Sequence, residues 1–442
     1  MDRSALPFVR VRLSVMMFVF FFSLGAWAVT LSTYLMSAPT KGGLNFTTTQ
    51  VGWVYSTFAI GGMLAPLAIG LLADRLFAAQ RVLGVSGLVC ALLLFAAGWW
   101  CDANFPRMDD AYRRATAVEP VLDPAALDRV NHDPEVRRVA AETFRPLFGL
   151  MLAYCVGLQI GTTLTTVITL RNLPDPGGFS RIRLYGTVGW IVAGFAIGQL
   201  LAAVSSQPLY LAAASAGLLG LVAFLMPHTP PKGTGRTPAE MFGLPALTLF
   251  RDRSFGVFVG VTFACSAMNQ FYGIYAHRYL TDLGVHKPEQ TMTLGQVVEA
   301  ACMFVIPLLG PRQRVKGLML LGLVGWVVRG AVMTWGAVPA VVALGVPMHG
   351  WSYAFYYMVA ATYLDREAPP HLRASAQGII TFASSGVGVW AGNTFAGLVV
   401  DHHRAGTVID WQPVWLVPLV GSAAALVVFA VFFRSPPDRK RL

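Results

Sequence analysis

The sequence predicts an all-α polytopic membrane protein of twelve transmembrane helices arranged as two six-helix halves. Three observations predict it. Hydrophobic residues make up 55% of the chain and charged residues 12%, with a mean hydropathy of +0.58, which excludes an ordinary soluble domain. Runs of about 20 apolar residues, each long enough to cross hydrocarbon, recur along the whole length. Backbone groups in lipid must pair internally, and these runs are too long for barrel strands, so they are read as helices.

Taken in order, the spans are 13–36, 50–73, 82–100, 146–170, 182–204, 208–227, 254–281, 290–310, 317–336, 338–364, 374–400 and 411–433. The first contains Ala26-Trp27-Ala28, which mimics a cleavage site, but it is too long for the apolar core of a signal peptide and reads as helix 1. Six spans (1–227), a polar linker (228–253, with HTPPKGTGRTP) and six more spans (254–442) give the two halves. The segment 101–145 has no glycine and alternates charges with apolar residues every three or four positions. It predicts short amphipathic helices outside the membrane, a cap or lid at most, with a plain spacer the preferred reading.

The net charge of +11 invites a nucleic-acid reading, and its distribution argues against one. With the N-terminus inside, 21 Lys and Arg lie in or beside cytoplasmic segments, against Lys41, Arg278, Lys287 and Arg404 in the short outer loops. That asymmetry predicts cytoplasmic termini by the positive-inside rule. Long loops count little in it, and 101–145 balances seven arginines with nine acids. The five cysteines lack metal spacing and read as small packing residues. There is no GxxxxGK[ST], HExxH or GxSxG, so no catalytic activity, metal or cofactor is expected.

Polar residues inside the spans carry the functional reading. Glu299 is the one acid in the middle of a span, with Gln296 a turn before it. A carboxylate at bilayer depth costs about 3 kcal/mol on insertion scales, so it is expected to face a cavity, a partner or a proton path. In span 5, Arg183, Thr187 and Trp190 fall at i, i+4 and i+7 and share a face; the arginine alone would equally suit a headgroup anchor. Span 7 carries Asn269-Gln270 with Tyr272 and His277, suited to a planar polar ligand or to bonds between helices. Span 10 places His349 and Tyr353 at i, i+4. Each alone reads as packing; four such spans together predict a shared cavity. Arg329 in span 9 is expected to be structural or gating, paired with Glu299 or with helix-end carbonyls, and Asn393 to bond a neighbouring helix.

The loop Gly70-Leu71-Leu72-Ala73-Asp74-Arg75 is similar to the G-x-L-A-D-R signature of the major facilitator superfamily, with Asp74 and Arg75 in a gating or structural role. Beyond it, VYSTFAIGGMLAPLAIGLLADR, IRLYGTVGW, GQVVE, Trp326 with Arg329, RASAQG (373–378) and DWQPVWL (410–416) resemble the nucleoside:proton symporter family of that superfamily, almost from end to end. The resemblance implies major facilitator architecture, a small-molecule carrier of the cell inner membrane working as a monomer, and no nucleic-acid partner. It implies a nucleoside site at Arg183, Thr187, Trp190, Gln270, Gln296, Glu299, His349 and Tyr353, with Trp190 or Tyr353 stacking on the base. Two positions depart from the pattern. Gly273 stands where some members have asparagine, and Ala354 where the family usually has an aspartate important for proton coupling, leaving Glu299 as the embedded carboxylate able to titrate. An uncoupled facilitator, or a carrier of another small polar solute such as a sugar, is the alternative; a transport-derived sensor is a third class.

Overall fold

A computed structural model describes residues 6–118, 124–173, 178–231, 239, 243–309, 315–369, 372–406 and 408–434; the middle of the expected linker, 232–238 and 240–242, lies outside them. Apart from one hairpin of two-residue strands, the regular structure of the described residues is helical. The helices are α1 (Leu6–Ala28), α2 (Leu31–Met36), α3 (Thr48–Leu71), α4 (Ala79–Val118), α5 (Pro124–His132), α6 (Pro134–Asn172), α7 (Gly178–Leu200) and α8 (Gln207–Phe224). They continue as α9 (Arg253–Asp282), α10 (Pro288–Thr291), α11 (Thr293–Val305), α12 (Val315–Trp335), the composite α13 (338–367) and α14 (373–402), and α15 (Trp411–Phe432). Strands β1 (Arg404–Ala405) and β2 (Val408–Ile409) pair antiparallel between α14 and α15.

Local chemistry sets the helix starts. Thr47 and Gln50 form a reciprocal capping box at α3, and the carboxylates of Asp133, Asp252 and Asp410 accept backbone N–H groups at α6, α9 and α15. Among the described residues, eight helical stretches are long and apolar enough to cross a membrane, in α1–α2, α3, α4, α6, α8, α9, α12 and α15. The expected spans 182–204, 290–310, 338–364 and 374–400 miss that standard, for visible reasons. The first holds Arg183, α11 is 13 residues long before a 3-10 turn, and π turns interrupt α13 (Val341–Gly345, Tyr353–Met358) and α14 (Phe382–Gly388). Three of these four carry the candidate site, and π turns are frequent where side chains must be re-aimed.

The segment 101–145 is not the set of separate short helices expected. Helices α4 and α6 run 40 and 39 residues, about 60 Å at 1.5 Å per residue, twice the hydrocarbon thickness. Their ends continue out of the apolar zone as a hairpin joined through α5 and tied by Arg107–Glu142 (2.7 Å) and Arg114–Glu135 (3.0 Å). Nor is it a plain spacer: Asn45 donates to Asn131 at 2.9 Å, and the Gly406 N–H points at Asp128. All five cysteines are buried and free.

Helices α1, α7 and α8 pack together, as do α4, α6 and α8; later in the chain, α12 packs on α15 and α9 on α14 and α15. The early and late helices meet through α3 with α14, α2 with α9, and α7 with α10 and α11.

Candidate functional site

A cavity of about 680 Å³ lies between the early and late helices. All eight residues expected at a site line it: Arg183, Thr187 and Trp190 from α7, Gln270 from α9, Gln296 and Glu299 from α11, and His349 and Tyr353 from α13. Glycine allows the helices bearing them to come close. A Cβ on Gly350 would collide with the Gly295 carbonyl and lie 2.5 Å from the Glu299 backbone nitrogen, so α11 and α13 touch main chain to main chain.

The wall combines two carboxylates, one guanidinium, amides and aromatic rings. The Arg183 guanidinium lies 3.9 Å from the centroid of the Phe21 ring, half-buried rather than anchored at a headgroup surface, and it is the cation whose field reaches Glu299. Gln270 donates to the Ser266 carbonyl at 2.9 Å. Tyr272 and His349 stack at 4.7 Å with planes 15° apart, and Tyr353 leans toward His349 at 6.3 Å. Polar atoms remain to be satisfied: Gln296 Oε1, the Tyr272 hydroxyl and both amide atoms of Asn393 are buried without a hydrogen-bond partner among the described residues. Buried polar groups are nearly always paired, so a cavity wall with several unpaired ones is built to be completed by something else.

Several expectations need correction. Arg329 meets neither Glu299 nor helix-end carbonyls. It donates to Asn269 at 3.1 Å, approaches His349 Nδ1 at 3.4 Å and lies 4.7 Å from the Tyr272 ring centroid, behind the cavity wall. Asn269 is thereby turned away from the cavity its neighbour Gln270 lines. Among the described residues the Asn393 side chain bonds no other helix, and it lines the cavity instead. Ala354 is fully buried with Cys302 and Phe355, against Val298 and Trp351, and does not line the cavity. Gly273 does line it. The side chains of Asp74 and Arg75 lie outside the described residues.

Sequence reasoning also missed a second acid. Glu289, placed just before span 8, is 3% exposed and lines the cavity end formed with Gly194 and Thr293. Its only sequence signal was proximity to a span.

The cavity is open at one end. Its lining reaches Pro66 near the end of α3, Thr163 in the last turns of α6, and Gly378 and Phe382 near the start of α14. At the opposite end the early and late helices are sealed. Thr48 donates to the Gly397 carbonyl at 2.9 Å and contacts Asp401 at 3.0 Å, Tyr275 donates to the Thr48 carbonyl at 3.2 Å, and Lys287 donates to Gln199 at 2.7 Å.

A helical fold with a polar cavity enclosed by its membrane-crossing helices defines a membrane transporter of small polar solutes. The chain belongs to the nucleoside H+ symporter family, whose profile matches residues 8–106 and 138–438 and skips the outermost part of the α4–α6 hairpin. It is 34% identical over 443 residues to YegT of Escherichia coli (strain K12), named as a nucleoside transporter, covering 96% of this chain and 93% of that protein. It is 28% identical over 445 residues to the xanthosine permease of the same organism, covering 96% and 95%. A crystal structure of the nucleoside transporter NupG superposes with a TM-score of 0.76 at 23% identity, covering 97% of this chain and all of that one. A D-xylose-proton symporter shares the fold at a TM-score of 0.64.

Proposed function

We propose that this protein carries nucleosides across the cell inner membrane by alternating access, as a monomer of twelve crossings in two six-helix halves with both termini cytoplasmic. The observation that carries the reading is the convergence of Arg183, Thr187, Trp190, Gln270, Gln296, Glu299, His349 and Tyr353 on one cavity with unpaired amides and open aromatic faces. A nucleoside needs both chemistries: donors and acceptors for the ribose hydroxyls and base edge, and a ring on which the base stacks. Tyr353, 41% exposed, and Trp190 present such rings. With cytoplasmic termini, the open end faces the cytoplasm and the sealed end the outside.

Coupling is of the proton-symporter type, with Glu299 the carboxylate that takes the proton. One observation favours a second reading, an equilibrating facilitator: Ala354 sits in an apolar cluster with no acid to titrate. Uptake of radiolabelled uridine and adenosine into proteoliposomes, with and without an inward proton gradient, separates the two. Gradient-driven accumulation supports the symporter, gradient-blind equilibration the facilitator, and absence of nucleoside flux overturns the substrate assignment.

A further inference from the structure

At the sealed end, three side chains form a buried chain. Thr33 Oγ1 lies 2.7 Å from His277 Nδ1, and His277 Nε2 lies 3.2 Å from Glu289 Oε2. All three residues are at most 3% exposed, and they come from three elements, α2, α9 and α10. One side of the Thr33–His277 contact belongs to the early helices and the other to the late ones, so it cannot survive separation of the two at this end. Glu289 meanwhile borders the central cavity, which gives the chain a route toward the substrate site.

The partners suit a ring that gains and loses a proton. With the ring neutral, Nε2–H donates to Glu289 and Nδ1 accepts from the Thr33 hydroxyl. With the ring charged, Nδ1–H donates and the same hydroxyl turns round to accept, since a hydroxyl does both. In either state both ring nitrogens keep a hydrogen-bond partner.

The surrounding charges leave Glu289 as the dominant influence on the ring. Just before α10, Lys287 adds a cation whose Nζ is held by Gln199 of α7. Helix α7 otherwise offers Gly194 and Gly198 there; a Cβ on Gly198 would collide with the Glu289 carboxylate. On α9, Arg278 is paired with Asp282 at 2.8 Å, and α2 contributes only Thr33. Along the cavity stand Glu299 and, facing it, Arg183. Glu289 lies on the four-residue α10, before the apolar stretch that starts at Thr293. Burial works against its charge, but the hydrogen bond from His277 and the charge of Lys287 hold its carboxyl below the ordinary range. Those two partners favour the ionised carboxylate, which faces the His277 ring across the hydrogen bond.

We propose that His277, held between the Thr33 hydroxyl and the Glu289 carboxylate, is a proton-binding site at the sealed end of the cavity, and that a proton bound there favours the sealed state. Loading from the outside and closure over the loaded site then become one event. This rests on the proton-symport reading above and adds a second site to Glu299.

The test is the number of protons moved per uridine in proteoliposomes containing a trapped pH dye. In H277Q, which keeps a hydrogen-bonding side chain but takes no proton, the ratio is expected to fall by half or more; a ratio equal to wild type overturns the proposal. Uridine movement without protons in the wild type also overturns it. If H277Q moves no uridine, or the wild type moves no nucleoside (which sinks the substrate assignment separately), thermal unfolding of the purified proteins decides. The advantage of wild type over H277Q must grow as pH is lowered from about 8 to 5. Parallel curves overturn the proposal.

Discussion

Gly350→Ala tests the geometry of the site at its tightest point. The added methyl would sit 2.5 Å from the Glu299 backbone nitrogen, against the 3.4 Å at which ordinary contact begins, and would overlap the Gly295 carbonyl as well. Relief requires α11 and α13 to part by about 1 Å, and overpacking of this kind costs about 1–3 kcal/mol. The displacement falls on the backbone that carries Glu299 and on His349, one residue from the substitution. A charge-assisted hydrogen bond from Glu299 to a ribose hydroxyl is worth about 1.5–3 kcal/mol, so losing it predicts roughly a ten- to 150-fold weaker apparent affinity for uridine. The assay is uridine uptake against concentration, alongside melting of the purified protein. Gly260→Ala in α9 is the control, because nothing lies within 4 Å of its would-be Cβ and alanine is the better helix former. If G350A melts and transports like G260A, α11 and α13 do not touch as described and the site's construction is wrong.

Three further outcomes follow from the same geometry. Glu299→Gln is expected to abolish uridine accumulation driven by an inward proton gradient; a variant that still concentrates uridine sinks the coupling role of Glu299. Ala354→Asp should lower melting temperature without raising protons moved per uridine, because the new carboxylate enters the Cys302–Phe355 cluster at a cost of about 3 kcal/mol; a gain in coupling would refute this. Arg329→Lys gives up the planar contact with Tyr272 and the bond to Asn269, worth about 0.5–2 kcal/mol, and predicts roughly a two- to thirtyfold loss of uridine affinity through a misplaced His349. Unchanged uptake kinetics would show that the Tyr272–His349 stack holds without it.

Much of this site could be read before any coordinates, because helical periodicity converts spacing into direction. Arg183, Thr187 and Trp190 had to share a face, as did Gln296 with Glu299 and His349 with Tyr353, and a face bearing such residues within a membrane has few places to go but a cavity. Periodicity says nothing about which helix a face meets. The partner of Arg329 was missed for that reason: two acceptors on other helices, Asn269 and His349, lay closer than Glu299. Glu289 escaped notice because a window of hydropathy ends where polarity begins, and a buried acid at that edge looks like a loop residue. The hairpin of α4 and α6 was read as separate pieces because its charges, which form cross-helix ion pairs, resembled a solvated loop.

The same reasoning explains why α7, α11, α13 and α14 lack the signature of membrane helices that their neighbours show. A carrier must hold a hydrated solute inside apolar surroundings, so its contacting helices give up hydropathy for polar side chains and straightness for π turns. The apolar α4, α8, α12 and α15 lie outside them as packing supports. Alternation adds a further demand: the sealed end cannot be too strong. The seal described here consists of a few hydrogen bonds between early and late helices, each worth about 1 kcal/mol net because water replaces it on opening. Such a seal is readily outweighed by matching contacts at the open end.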